Sequence, residues 1–578
     1  MATVSAERAE TEMEATRLLI EAATGRSTIL FRAPYNADAE PSTLVELKPV
    51  ERGKQDGYYT VGESIDPEDW NVESGVNADS IYNRIVRRYE SDSTRGIILL
   101  HDAGGNREAT VQALPRIIQY FKSHNVKFAT ISEILNLPKD AIMPPVHTDM
   151  VKFSGWASAV LYWMERLFVG AFWLAIILGL ARILFMGVLA TIQYSRSRKE
   201  KKLLTAFTPG KVSIIVPAYN EEVNAIKTIE NLLQQDYEDL EIVFVNDGST
   251  DNTFEKVGNA FLNNSKVKVF TQPNGGKASA LNFGISNSDG DYLVCIDADT
   301  QLMPDAVSQL MKYFREPGVG AVAGNVKVGN DRSVLTKWQS IEYTTAQNFD
   351  RRAFDLINCI TVVPGAIGAF KREAIVKAGG FTSDTLAEDC DLTIRILRNG
   401  YRVRNCTDAV AITEAPETLK QFMKQRFRWN YGIMQSFWKN REACFNPRYR
   451  SLGLVALPNI LLFQVLTPIF APIADLLFIL SLIWNRHDPE SMHQILFFYG
   501  LFLAVDVAVS LLAFAFEREK LYKLIWLLPQ RFAYRQLIYV VLFRSIRKAI
   551  KGETQSWGVL KRTGNVKLIR NKSFINPH

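Results

Sequence analysis

EIVFVNDGSTDNT, residues 241–253, runs through the apolar stretch Ile242 to Val245 and stops at Asn246, Asp247 and Gly248. A run that short, wholly apolar and closed by turn formers reads as a strand buried on both faces. KVSIIVPAYNEE (211–222) is built the same way, ending at a proline and an asparagine, and YLVCIDADT (292–300) repeats the arrangement. From Lys211 to about residue 440 such strands alternate with helical character, the pattern of an α/β fold. Ligands of open parallel sheets bind outside the carboxyl ends of the strands. The polar clusters at these three strand ends are therefore expected to converge on one crevice.

Within IDADT, Asp297 and Asp299 stand two apart, and at the period of an extended chain both point to the same side. Two carboxylates together repel unless a cation lies between them, and a hard ion such as Mg²⁺ or Mn²⁺ with a diphosphate suits them. A DxD alone is common in surface loops; the buried strand before it gives this one its weight. Asp247 is placed to accept hydrogen bonds from a base or ribose, and a plain Asp-Gly turn is equally natural. NGGKASALN (274–282) offers glycines that a ligand can approach closely and Lys277 as a counter-charge, or only a turn before a helix. TLAEDCDLTIRI (385–396) gathers Glu388, Asp389 and Asp391 where a helix starts. Acids there complement the helix dipole, or one of them is a general base. VVPGAIGAF (362–370) reads as a wall for a sugar ring or as a tight turn.

In QRFRWNYG (425–432), Gln425, Arg428 and Trp429 fall at i, i+3 and i+4 and share one helix face. That face suits a charged, sugar-bearing ligand; an interfacial anchor with Trp at headgroup level is the bland alternative. The chain has 578 residues, 47% of them hydrophobic, too many for one core. LFVGAFWLAIILGLARILFMGVLATI (167–192) holds one charge, Arg182, and is followed by SRSRKEKK. Such a run is long enough to span a bilayer, and the basic cluster marks its cytoplasmic side. Residues 452–484 are uncharged except for Asp475 and contain three prolines, giving one kinked span or an interfacial helix joined to a span. Ile495 to Phe516 is a cleaner crossing broken only by Asp506, and 521–550, rich in Arg and Lys, reads as a surface-lying or partly inserted helix.

The net charge of +6 comes from basic residues beside apolar runs, so a bilayer and no nucleic acid is the expected partner. The five cysteines form no CxxC pair, which argues against a disulfide framework or structural zinc. Residues 1–17 are charged and polar and resemble no signal peptide. The resulting layout is a soluble segment (1–139), a linker (140–166), a transmembrane helix (167–192), a basic linker (193–210), the α/β domain (211–440) and a transmembrane and interfacial helical region (441–578).

VNDGST, IDADT, AEDCD and QRFRW, in this order, resemble the signature of processive family 2 glycosyltransferases. That group includes cellulose, hyaluronan, chitin and poly-N-acetylglucosamine synthases. The resemblance implies a GT-A-type nucleotide-sugar domain over 211–440. Carried over residue by residue, it implies that Asp247 contacts the uracil of a UDP-sugar and that Lys277 supports the nucleotide. Asp297 and Asp299 would handle the sugar and the metal-bound diphosphate, with Mg²⁺ or Mn²⁺ as cofactor and Arg428 as a further diphosphate contact. Asp389 is implied as the catalytic base, although Ala387 stands where many relatives have threonine. Gln425 and Trp429, with Gly365 and Ala366, are implied to border a polysaccharide or oligosaccharide acceptor. No Ser/His or Cys/His pair offers a nucleophile. A single in-line displacement, giving a β-linkage from an α-linked donor, is therefore the economical mechanism.

TGRSTILFRAPYN (24–36), IDPEDW (65–70) and GIILLHDAGGNREATVQALPRII (96–118) resemble the later motifs of the polysaccharide deacetylase family. This implies a partial deacetylase-like (β/α) barrel in 1–139, entered partway, with Arg32 and His101 at supporting positions. The metal-binding aspartate and histidine pair of that family have no counterpart, so no deacetylase activity is expected. The association nevertheless points to UDP-GlcNAc and a β-1,4 or β-1,6 polymer. The chain is expected to be a multi-pass protein of the cell membrane, with the transferase cytoplasmic and the N-terminal part outside. The rival readings are a hyaluronan- or cellulose-type synthase, a non-processive lipid-linked transferase, a sugar-nucleotide sensor and a carbohydrate esterase.

Overall fold

The computed structural model describes residues 6–34, 43–71, 76–92, 96–102, 105–146, 149–203, 209–486 and 489–551. The chain divides into two compact units, 1–171 and 172–578. In the first, helices Ala78–Ser91 and Glu108–Ser123 pack Ile81, Ile85, Ala113, Ile117 and Phe121 with Ile65. Leu30–Phe31 pairs in parallel with Tyr59–Thr60, and Ile65 bridges Ile98 in parallel. Parallel pairs separated by helices are βα-like, but ladders this short do not close a barrel. Among the described residues the expected deacetylase barrel is not confirmed. The motifs do converge locally: the buried Asp69 lies 2.7 Å from His101 Nδ1 through Oδ1 and accepts from Thr110 Oγ1 (2.8 Å) through Oδ2.

One helix, Asp149–Leu203 (α1), occupies most of what the sequence divided into a linker, a span and a basic linker. Its basic end stays helical because Arg, Lys and Glu are good helix formers, and Arg196 pairs with Glu200 one turn on (2.6 Å). Within α1, Ile176–Glu200 is long and apolar enough to cross a membrane and overlaps the 167–192 expected. Residues 204–208 of the basic linker and 552–578 of the C-terminal region lie outside the described residues.

The second unit is built on an eight-stranded mixed sheet in the order β3-β2-β1-β4-β7-β6-β8-β5. Its strands are Val212–Ala218 (β1), Leu240–Asp247 (β2), Val267–Gln272 (β3), Tyr292–Cys295 (β4), Gln301–Leu302 (β5), Val319–Val328 (β6), Gly368–Lys371 (β7) and Arg402–Thr413 (β8). The three strands read from sequence are neighbours, all parallel, with Ile215 opposite both Val243 and Cys295. β1 and β2 are buried at every position, as continuous apolar runs require. Pro217 is tolerated in β1 because Ile215 O accepts from Ile296 N (3.2 Å) at the last rung with β4. Two residues on, the missing N–H of Pro217 faces the side where β4 has ended. β7 runs antiparallel between β4 and β6, so the sheet is mixed rather than wholly parallel.

The helices that build the site are Lys277–Ser286 (α2), Phe349–Leu356 (α3), Glu388–Arg398 (α4) and Leu419–Lys439 (α5). Beyond them, Leu452–Ile483 and Pro489–Glu517 (α7) are also long and apolar enough to cross a membrane. The first is one continuous helical run: π-helical turns at Leu452–Ala456 and Ile460–Leu466 lead into Thr467–Trp484 (α6). The segment read as a surface-lying or partly inserted helix is a helix, Leu527–Lys551 (α8), and it packs against α5. It satisfies the two acids that interrupt the apolar runs: Arg531 pairs with Asp506 (2.7 Å), and Tyr539 Oη donates to Asp475 (3.0 Å). Isolated acids in apolar helices are costly, and these partners draw α8 inward. Tyr534 meets Phe422 of α5 with the rings tilted and their centroids 5.1 Å apart, and its hydroxyl accepts from Arg426 (3.1 Å).

Candidate active site

A cavity of about 600 Å³ opens at the carboxyl ends of β1, β2 and β4. Every site residue named from sequence lines it: Asp247, Lys277, Asp297, Asp299, Gly365, Ala366, Asp389, Gln425, Arg428 and Trp429. The strands deliver the acids, and α2, α4 and α5 close around them.

Asp247 ends β2 and is buried. Its Oδ1 accepts from Gly275 N (2.9 Å) and Gln272 Nε2 (2.7 Å), and its Oδ2 from Gly276 N (2.8 Å). A carboxylate has about four lone-pair sites, so most of its capacity goes to holding the glycine loop. That loop starts α2 with Lys277 as its first residue. NGGK is thus a tied turn whose product is a fixed lysine.

Lys277 sits among the acids. Its Nζ lies 2.6 Å from Asp297 Oδ1 and 3.2 Å from Glu388 Oε1. Burial pulls its pKa down, but Asp297, Glu388 and Asp389 more than offset this and the net shift is upward, so the lysine stays charged. Gly365 packs directly on it: a Cβ there would stand 2.6 Å from Lys277 Nζ and 3.7 Å from Asp297 Oδ1. The glycine segment therefore makes room for the lysine as well as forming a wall of the cavity.

Asp297 and Asp299 do not occupy extended chain. β4 stops at Cys295, and Thr300 N donates to Asp297 O (3.1 Å), which makes DAD a turn. The expectation that strand period aligns them is replaced by a turn that brings both to the cavity. Asp299 is 4% exposed.

Glu388 and Asp389 occupy the first turn of α4, and Asp389 Oδ1 accepts from Cys390 N (2.8 Å). Burial and then the neighbouring Glu388 raise the Asp389 carboxyl to about 6, against the pull of Lys277. Asp391, the third acid of the motif, turns away to Arg395 (2.8 Å) and Lys439 (3.0 Å) and is structural.

On α5, Gln425, Arg428 and Trp429 share the cavity face as their spacing predicts. The intervening Arg426, not singled out from sequence, is fully buried and pairs with Glu342 (2.6 Å). Its guanidinium lies 4.2 Å from the Trp429 ring centroid, and Tyr343 approaches the indole at 6.1 Å. These contacts fix the indole. Sequence reasoning also missed Arg351 of α3, which lines the cavity and donates to Asn348; burial draws its guanidinium down to about 10. The DRR run at 350–352 was the available signal. Gln425 Oε1 and Arg351 Nε are buried without hydrogen-bond partners among the described residues. Polar atoms left so beside a cavity are suited to a ligand's hydroxyl or amide groups.

The cavity also reaches Arg182 of α1, Gln464 and Pro468 of the helical run Leu452–Ile483, and Ile538 and Leu542 of α8. Arg182 is held there by Asp350 (2.7 Å) and Asn459 (2.9 Å). One space thus touches the acid cluster and three helices that flank or belong to the apolar region.

Residues 213–378 match the family model Glycosyl transferase family 2. That stretch takes in the mixed sheet from β1 through β7. Among curated proteins, the poly-beta-1,6-N-acetyl-D-glucosamine synthase of Staphylococcus aureus (strain COL) is 34% identical over 243 residues, 41% of this chain and 59% of that protein. The synthase of the same description from Staphylococcus epidermidis is 32% identical over 232 residues, covering 39% and 56%. The matched region thus spans less than two thirds of these relatives. A solved mannosyltransferase from Pyrobaculum calidifontis, in complex with GDP-Man and Mn²⁺, is 21% identical and covers 64% of this chain and 100% of its own, at a TM-score of 0.43.

Proposed function

We propose that this chain is a membrane-bound, inverting, processive glycosyltransferase. It adds N-acetylglucosamine from UDP-GlcNAc in β-linkage to a growing polysaccharide whose export is coupled to synthesis. The observation that carries this reading is the single cavity in which a buried, high-pKa Asp389, the Asp297–Asp299 turn and the Trp429 face meet residues of the apolar helices. The relatives' description supports the sugar.

Asp389 accepts the proton of the attacking acceptor hydroxyl as that oxygen bonds to the anomeric carbon and UDP leaves. Lys277 keeps the crowded carboxylates compatible with an anionic donor, and Arg428 offers a bidentate contact to the leaving diphosphate. The donor set fits a divalent ion: Asp297 and Asp299 are hard oxygen ligands, and Mg²⁺ or Mn²⁺ is commonly held by one or two carboxylates with substrate phosphates completing the shell. Such an ion, when bound, supplies neutralisation of charge on the diphosphate. Asp247 and its glycine loop border the nucleotide, Gln425 and Gly365–Ala366 the acceptor. The basic end of α1 supports a cytoplasmic transferase and an extracytoplasmic N-terminal unit. Three crossings, Ile176–Glu200, Leu452–Ile483 and Pro489–Glu517, are consistent with that orientation.

Membranes bearing the protein, supplied with a panel of UDP-sugars and Mg²⁺ or Mn²⁺, are expected to make long chains from UDP-GlcNAc that linkage-specific β-hydrolases digest. Short lipid-linked products would favour a non-processive transferase, and polymer from UDP-glucose would replace the sugar. No transfer from any UDP-sugar would sink the reading.

Two further results are expected. Because a base must be ionised to accept a proton, kcat/KM should fall as pH drops through about 6; a rate flat from pH 5 to pH 8, roughly spanning that range, would remove Asp389 from the role. Trp429→Ala should shorten products and raise the acceptor requirement while UDP binding is kept, since it removes the flat apolar face on which the acceptor's terminal sugar rests. Equal loss of elongation and UDP affinity with the fold intact would favour the interfacial-anchor reading.

A further inference from the structure

We propose that Gln435 is a positioning residue for Asp389, through which the second half of α5 holds the loop that carries the base. The inference rests on the reading of Asp389 as that base. Ala387 is the N-cap of α4, and no side chain caps the helix there. A helix start ordinarily gains a hydrogen bond from a Ser, Thr, Asp or Asn at this position. Here the first turn, which contains Asp389, is fastened from outside instead.

α5 supplies the fastening along consecutive turns. Leu386 N donates to Gln435 Oε1 (2.9 Å), and Ser436 Oγ donates to Ala387 O (3.5 Å). Lys439 Nζ reaches Asp384 Oδ1 (2.9 Å) and Asp391 Oδ2 (3.0 Å), on either side of the base. Between these bonds the two backbones touch. A Cβ on Gly432 would stand 2.6 Å from Ala387 N, 2.7 Å from Ala387 Cβ and 2.9 Å from Leu386 C. Only a residue without a side chain fits on α5 at that point, and alanine at 387 keeps the opposing side chain minimal. This contact gives a physical reason for alanine where a capping threonine is otherwise at home: the cap has been exchanged for the clamp.

Gln425, Arg428 and Trp429 project from the first half of the same 21-residue helix. Acceptor face and base loop are thereby referenced to one rigid element, and a change in the position of α5 moves both together.

The test uses the full-length protein in membranes or detergent, with two substitutions. Gln435→Met keeps length and removes the acceptor for Leu386 N–H; Gln435→Glu keeps an acceptor oxygen. Misplacement of a reacting group by about 1 Å can cost on the order of 10²-fold. Gln435→Met is therefore expected to lower kcat by roughly 10- to 100-fold with KM for UDP-GlcNAc and UDP affinity unchanged. Gln435→Glu should restore most of the rate. Amide hydrogen exchange across 386–389 should quicken in the Met variant and not in the Glu variant. Wild-type kcat in Gln435→Met, equal impairment of both variants, or a joint loss of kcat and UDP affinity would overturn the proposal. If the wild-type protein transfers no sugar, the function reading fails, and the exchange measurement still decides whether Gln435 holds the loop: unchanged exchange in Gln435→Met overturns it.

Discussion

Replacing Asp389 with asparagine is expected to cut turnover by about 10²- to 10⁴-fold, the usual range for a lost general base, while UDP binding is retained. The substitution is nearly isosteric, and Lys277 keeps Asp297 and Glu388 as partners, so the charge network around the donor survives. The same change should stabilise the protein. The carboxyl of Asp389 rises from 3.8 to about 6 in the folded chain, so the folded state binds this proton more tightly than the unfolded state. Stability from this group therefore falls as pH climbs from the ordinary carboxylate range through about 6, and the full penalty is present at neutral pH. An amide carries no such penalty, and a gain on the order of 1–3 kcal/mol is expected at pH 7. Calorimetric titration with UDP, single-turnover transfer and thermal unfolding in detergent measure the three effects. Wild-type transfer by Asp389→Asn would end the assignment, and a drop in melting temperature would contradict the penalty assigned to the buried carboxylate.

Asp299→Asn is expected to lose turnover by about 10²-fold or more, since a divalent ion at a developing diphosphate charge is worth several kcal/mol and about 1.4 kcal/mol is tenfold. Asp297 already spends one oxygen on Lys277 at 2.6 Å, so Asp299 should be the harder of the two to replace. The readout independent of activity is UDP affinity: in the wild type it should depend on Mg²⁺ or Mn²⁺ and weaken with chelator, and in Asp299→Asn that dependence should largely vanish. Unaltered metal dependence in the variant would remove Asp299 as a ligand.

Much of the site was legible because its signals are local. VSIIV, EIVFV and YLVCI are apolar runs with turn residues at one end, and a strand buried on both faces leaves its polar side chains only at that end. The 3.6-residue period alone put Gln425, Arg428 and Trp429 on one face. The contacts between distant segments were not legible. That Lys277 stands between Asp297 and Glu388, or that Gly432 meets Ala387, depends on which helix packs over which strand. Asp475 and Asp506 read as blemishes in apolar helices until Tyr539 and Arg531 appear beside them. One expectation differs from the structure for an identifiable reason: Asp297 and Asp299 do not share an extended chain, because the strand has already ended and a turn carries them. Residues 149–203 form one continuous helix, since charged and apolar residues alike propagate a helix.

The sequence by itself determined the α/β character of the central domain, the strand ends that bear its acids and the apolar helices that follow, because backbone hydrogen bonding and side-chain periodicity act over a few residues. The tertiary structure alone decided how the acids share one lysine, which arginine steadies Trp429 and which helix clamps the start of α4. Those outcomes arise from packing between segments far apart in the chain, where a single glycine or a buried ion pair selects one arrangement among many that the local pattern permits.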